Sequence, residues 1–175
     1  MPTLLLCALT PWLAALCYHD VRHRRLPNVL TLGGAAAALA WRLGMGGWPA
    51  ALDGLLAGIF CGLLLLLPFL VRAAGGGDVK MLFAAGCALG QRHALGALLC
   101  VSLAGMLLGL AMFAFGRVDR RRLSHFARCV LDWRYDRAAG RAALPPRGHE
   151  KSRVPFGVAI AAGTWVSLAL QLASK

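Results

Sequence analysis

The sequence predicts an all-α integral membrane protein built as a bundle of six transmembrane helices. Hydrophobic residues make up 59% of the 175 residues and charged residues only 15%, and the mean hydropathy is +0.65. Soluble domains are usually about 45–50% apolar and about 25% charged. Residues 1–19, 94–116 and 154–174 contain no Asp, Glu, Lys or Arg, and runs of about 17–25 such residues can cross a bilayer. These features exclude an ordinary soluble enzyme, a disordered chain and a disulfide-stapled secreted domain.

Six apolar segments follow one another along a single membrane domain that spans residues 1–175. We expect helices at about 2–18, 29–43, 49–71, 79–90, 94–116 and 154–173. The fourth segment is short for a span and carries Lys80 near its start, so it is expected to begin inside the protein. In the long connection, residues 117–153, apolar residues recur at helical spacing among arginines, which predicts an amphipathic helix on the membrane surface.

Glycines recur at four-residue spacing on three of the predicted helices. The rows are Gly54, Gly58 and Gly62, then Gly86 and Gly90, then Gly105 and Gly109. Small residues at this spacing let helix backbones approach closely in lipid. We therefore interpret these rows as packing surfaces and not as catalytic features.

Basic residues set the expected orientation. The chain carries 19 Lys and Arg against 7 Asp and Glu, a net charge of +12. If the N-terminus faces away from the cytoplasm, every basic residue except Arg42, Arg92 and Lys175 lies on the cytoplasmic side, as the positive-inside rule predicts. This bias, together with attraction to anionic lipid headgroups, explains the charge without a nucleic-acid partner. Residues 117–153 are then a basic cytoplasmic loop.

Two acidic residues stand at the ends of predicted spans. Asp20 follows the first apolar segment, and Asp78 precedes the fourth in the run GGGDVK, residues 75–80. Two crossings separate them, so both are expected on the cytoplasmic side, and ionisable residues at such positions are functional candidates. Facing carboxylates share one proton because both cannot easily stay ionised. One could deprotonate water while its neutral partner donates to a scissile carbonyl, which is acid–base peptide hydrolysis.

Each of these features also has a structural interpretation. Gly75–Gly77 could permit positive φ and a close backbone approach to substrate, or could form a plain flexible turn. Asp20 could be an interfacial acid paired with Arg22 or Arg24, and the chain would then be a non-catalytic membrane scaffold. The sequence holds no phosphate-binding loop. His19 and His23 flank Asp20, but the chain lacks an H-E-x-x-H motif and any set of three or four ligands at a plausible spacing, so neither a cofactor nor a catalytic metal is expected.

Taken together, the motifs resemble those of the type IV prepilin peptidases, the G-x-G-D aspartic proteases of membranes. The matching positions, in chain order, are Asp20, Pro27, Asn28, Gly75, Gly77, Asp78, Lys80, Pro155, Phe156 and Gly157, and Gly76 completes the predicted active-site loop. The resemblance covers essentially the whole chain. It implies that Asp20 and Asp78 are the catalytic pair and that the other positions form the active-site loop and contact substrate.

Long members of that family carry a cytoplasmic domain with paired C-x-x-C zinc ligands and also methylate the cleaved pilin. The six cysteines of this chain form no such pair, so it is similar to the short tight-adherence (Flp pilus) subgroup. The resemblance implies an enzyme of the bacterial inner membrane that cleaves the basic leader from Flp-like prepilins and pseudopilins on the cytoplasmic side. A pilus-assembly subunit without catalysis and a bifunctional peptidase and N-methyltransferase are the alternatives.

Overall fold

The computed structural model describes residues 2–23, 26–70, 74–115 and 156–173. These ranges contain five α-helices and no strand. The helices are α1 (Pro2–His23), α2 (Asn28–Leu70), α3 (Gly76–Leu89), α4 (Gln91–Ala114) and α5 (Phe156–Ala173). The prediction of an all-helical chain is confirmed. Pro155 and the loop 117–153, with its predicted amphipathic helix, lie outside the described residues.

The second and third predicted segments are the two halves of α2, which are separate helices joined at a kink; the bundle of six membrane-spanning helices stays a prediction. Its backbone departs from helical geometry at one residue, Gly47 (φ 67°, ψ −164°). Arg42 nevertheless forms an ion pair with Asp53, and in an unbroken helix these positions would be about 16 Å apart. The chain therefore folds back at Gly47, where only glycine tolerates the positive φ without strain. The predicted connection 44–48 shrinks to this single position.

Other boundaries also differ from the predicted ones. The first helix continues past residue 18 to His23, and α3 begins at Gly76 and not at residue 79. The predicted connection 91–93 is part of α4, because Gly90 alone turns the chain between α3 and α4 with φ +76°. Gly90 is thus a turn residue and not a member of a helical glycine row.

Helix α3 lies at the centre of the molecule, between the two halves of α2. Its 14 residues span only about 21 Å, less than the hydrocarbon thickness of about 30 Å, and most of them are buried. Gly58 on α2 faces Phe83 and Cys87, and a Cβ on Gly86 would lie 2.7 Å from the carbonyl oxygen of Ala57. These glycines hold the two backbones in direct contact, which agrees with the packing role expected for their rows.

The helices associate as two groups that meet in one core. Helix α2 packs most extensively on α3, while α1 and α4 both pack on α5. Two segments, Asn28–Leu66 and Gln91–Met112, are long and apolar enough to cross a membrane by length and composition. On α4, Leu95, Leu99 and Leu103 are all more than half exposed. A continuous exposed face of leucine is typical of a helix that contacts lipid.

Candidate active site

Three fully buried side chains form an apolar floor near one end of the bundle. Leu16 of α1, Met81 of α3 and Ile160 of α5 are each 0% exposed and belong to one cluster. At the far end of the same helices, Leu9 packs on the cluster that contains Leu89 and Leu168. Helix α1 therefore runs toward the floor end, and α3 and α5 run away from it.

Asp20, Asp78 and Gly157 all lie beyond this apolar floor. Asp20 follows Leu16 by four residues, whereas Asp78 precedes Met81 by three, so each stands about one helical turn, roughly 5 Å, outside the floor. As whole residues, Asp20 and Asp78 are only 7% and 9% exposed. The structure thus brings the two predicted aspartates to the same end of the bundle, where both carboxyl groups are largely withdrawn from solvent.

Asp78 is fixed by the start of its own helix. Gly75 is the N-cap of α3, and its N–H donates to Oδ2 of Asp78 at 3.1 Å. The carbonyl of Gly75 in turn accepts the N–H of Asp78 at 3.1 Å. A carboxylate in the first turn also interacts favourably with the positive end of the helix dipole. This geometry holds the carboxyl group in one orientation at the edge of the bundle.

Asp20 is fixed by contact with α5. A Cβ built on Gly157 would lie 2.6 Å from Oδ2 and 2.9 Å from Cγ of Asp20. At such distances a side chain at position 157 would displace the Asp20 side chain, so glycine leaves the space that the carboxyl group occupies. Phe156, the preceding residue, packs across Gly105 of α4, where a Cβ would lie 2.7 Å from its ring. This packing anchors the first turn of α5 beside Asp20.

The glycines before Asp78 are closely packed and have no unusual backbone angles. Among the described glycines only Gly47 and Gly90 have positive φ, so the positive φ considered for Gly75–Gly77 is wrong. A Cβ on Gly76 would lie 3.2 Å from the ring of Phe69, and a Cβ on Gly77 would lie 3.1 Å from Leu26. The loop therefore packs closely against the C-terminal end of α2 and against Leu26, two residues before the start of α2.

Pro27, Asn28 and Lys80 join the start of α2 to the start of α3. The carbonyl of Pro27 accepts the N–H groups of Leu30 and Thr31 at 3.1 and 3.2 Å, which opens α2. Lys80 then donates from Nζ to Oδ1 of Asn28 at 2.9 Å, across 52 positions of sequence. This hydrogen bond connects the helix of Asp78 to the segment that follows Asp20.

Sequence reasoning missed a polar clamp at the opposite end of the bundle, formed by Arg42 and Asp53. Arg42 pairs with Asp53 and also donates from Nε to the carbonyl of Ala50 at 3.0 Å, while Asp53 accepts the N–H of Gln91 at 3.4 Å. Any Cβ on Gly90 would collide with both charged groups. A signal was present, because Arg42 and Asp53 are charged residues inside two adjacent apolar segments.

The described residues contain no group of three or more His, Cys, Asp or Glu side chains that could hold a metal ion. The family model of the type IV leader peptidases matches residues 7–110. The chain belongs to the type IV leader peptidase family. No curated protein and no solved structure matches the chain significantly.

Membership in the type IV leader peptidase family confirms the resemblance drawn from the motifs, and it implies protease activity on prepilin-type substrates. With the apolar helices it also indicates a membrane protein. The matched range contains Asp20 and Asp78 but ends well before α5. Phe156 and Gly157 are therefore assigned to the site by their contacts and not by the family match. Gly157 lies directly against the Asp20 carboxyl group.

Proposed function

We propose that this leader peptidase is an aspartic endopeptidase of the bacterial inner membrane that removes the basic leader from Flp-like prepilins and pseudopilins at the cytoplasmic face. The observation that carries the proposal is the burial of Asp20 and Asp78 at one end of the bundle, just beyond the apolar floor. The third described acidic residue, Asp53, lies in the clamp at the other end. Asp20 and Asp78 thus differ from Asp53 both in their position in the bundle and in their burial.

The proposed mechanism uses the two carboxyl groups as a pair that shares one proton. Burial and mutual repulsion disfavour a second negative charge, so one group is ionised and the other is neutral. The ionised group takes a proton from water, the resulting hydroxyl oxygen bonds to the scissile carbonyl carbon, and the neutral group donates its proton to the carbonyl oxygen. Collapse of the tetrahedral intermediate, with a proton passed to the leaving nitrogen, breaks the peptide bond and restores the pair.

The surrounding residues position this pair. Gly157 leaves the space that the Asp20 carboxyl group occupies, and the N–H of Gly75 orients the Asp78 carboxyl group. The hydrogen bond from Lys80 to Asn28 fixes the first turn of α3 relative to the start of α2. Preorganisation of this kind matters because reacting groups must be held close to their productive geometry.

The test is leader cleavage by Asp20→Asn and Asp78→Asn variants, each co-expressed with an Flp-type prepilin and read as a gel shift. Asn keeps the size of Asp, and its amide oxygen can still accept the N–H of Gly75, so the cap of α3 is preserved at position 78. It cannot take up or release the shared proton. Because general acid–base catalysis contributes about 10²–10⁴-fold, we expect cleavage to fall by at least that order.

Matched controls separate chemistry from folding. Asp119→Asn and Asp136→Asn remove the same charge outside the motifs and should cleave nearly normally. Each variant should also insert and accumulate like the wild type. If either motif variant processes prepilin at the wild-type rate, the aspartate pair is not catalytic and a non-catalytic role in pilus assembly takes its place. Methyl transfer from S-adenosylmethionine to the cleaved product would instead establish a bifunctional enzyme.

A further inference from the structure

Two histidines share one face of α1 at the end that carries Asp20. His19 and His23 are four positions apart, and residues at this spacing are neighbours on a helix surface. Their ring centroids are 5.4 Å apart with an angle of 33° between the ring planes. His23 is exposed and His19 is partly buried. Both imidazoles lie beyond the predicted apolar span, where an ion from solution can reach them.

Among the described residues of α1, the neighbours Tyr18, Asp20 and Arg22 make contacts of their own. The guanidinium carbon of Arg22 lies 5.9 Å from the centre of the Tyr18 ring, an arrangement that attracts a cation to an aromatic face. Tyr18 meets His19 edge to face, with ring centroids 5.9 Å apart. Asp20 points to a different side, against Gly157. Arg22 is therefore associated with Tyr18 on the adjacent face.

We infer that His19 and His23 form a bidentate site for a divalent transition-metal ion of the zinc class. Neutral imidazole is a common ligand of zinc, nickel and copper. Two histidines at i and i+4 on one helix face are also the pair that many metallopeptidases use to hold zinc. Because no third protein ligand joins the pair among the described residues, water completes the coordination, and the ion exchanges with the medium.

The site has a consequence for catalysis, which rests on the proposed function. A bound divalent ion lies on α1 close to Asp20, at the end of the bundle where the proposed cleavage of a basic leader takes place. It repels the basic leader by charge, so it acts on substrate binding. The repulsion weakens leader binding, so we expect a bound ion to raise KM.

The first experiment measures binding without substrate. The full-length chain, purified with a tag that lacks histidine, is titrated with Zn²⁺ by calorimetry. A structural zinc site has four protein ligands, whereas this site has two. We therefore expect one bound ion per chain with a Kd on the order of 1–100 µM. His19→Gln and His23→Gln should each weaken binding at least tenfold. His93→Gln removes a histidine from α4 and should bind Zn²⁺ as the wild type does.

A register control distinguishes chelation from the mere presence of histidines. The double variant Val21→His with His23→Gln keeps the number of histidines but places the pair two positions apart, on different sides of the helix, so it should also lose binding. Equal Zn²⁺ binding by the wild type and the register control would overturn the site. Failure of the wild type to bind Zn²⁺ below 1 mM, about ten times the weakest expected Kd, would do the same.

The second experiment measures leader cleavage at saturating Zn²⁺. We expect a higher KM for the wild type, restored by a chelator, and no Zn²⁺ effect on the His23→Gln variant. Zn²⁺ binding to the histidine pair without a change in KM would overturn the inhibitory role. Absence of cleavage in metal-free protein would count against the proposed peptidase function and not against the site, because binding is measured independently.

Discussion

A methyl group at position 157 tests the placement of Asp20 most directly. Gly157→Ala adds a Cβ that would lie 2.6 Å from Oδ2, 2.9 Å from Cγ and 3.3 Å from Cβ of Asp20. Ordinary van der Waals contacts begin near 3.4 Å. The carboxyl oxygen must therefore move by roughly 0.8 Å, and since Asp20 is only 7% exposed, it cannot swing freely into solvent.

The magnitude follows from the tolerance of a catalytic arrangement. Misplacement of a reacting group by about 1 Å can cost about 10²-fold in rate, which corresponds to about 2.7 kcal/mol of activation free energy. We expect Gly157→Ala to lower kcat by roughly this factor. The helix itself should not suffer, since alanine is the better helix former by about 1 kcal/mol.

The assay is leader cleavage of an Flp-type prepilin by purified variants in nanodiscs, with thermal unfolding measured in parallel. Gly109→Ala is the matched control, because nothing lies within 4 Å of its new Cβ, and it should retain wild-type activity. Gly163→Ala, on the same helix as Gly157, collides with the backbone of Val101. It should lower the unfolding temperature without a specific loss of kcat.

Wild-type kcat in Gly157→Ala would refute the reasoning, because the position of the Asp20 carboxyl group against α5 would then not matter for cleavage. A loss of activity that only parallels a loss of folded protein, as expected for Gly163→Ala, would likewise contradict a positioning role for Gly157.

Three further predictions concern the clamp, metals and topology. Asp53→Asn breaks the ion pair with Arg42 and should lower the free energy of unfolding by up to about 1 kcal/mol while cleavage per folded molecule stays normal; a cleavage defect at full folding would contradict this. Dialysis against a strong chelator should leave leader cleavage intact, and activity restored only by zinc would overturn the aspartic mechanism. Single cysteines placed within residues 117–153 should react with impermeant reagents only from the cytoplasm, and periplasmic labelling would reverse the orientation.

The sequence by itself determined the family and the helical, apolar character of the chain. The uncharged runs and the apolar composition predict helices in lipid. Lipid offers the backbone N–H and C=O groups no hydrogen-bond partners, so an apolar segment satisfies them within its own helix. Asp20 and the GGGDVK run stand out for a related reason, since acids are rare and costly at the ends of apolar spans. The order and spacing of short motifs can be read directly from a linear sequence, and they suffice to recognise the family.

Only the tertiary structure shows how the helical segments pack against one another. The sequence does not reveal that Gly47 reverses α2 or that Gly90 alone turns α3 into α4, because a glycine in an apolar run can equally serve helix packing. It also does not reveal that Gly157 touches Asp20, which lies 137 positions earlier. Contacts between distant segments depend on how side chains fill the space between helices, and periodicity along the chain carries no information about that space.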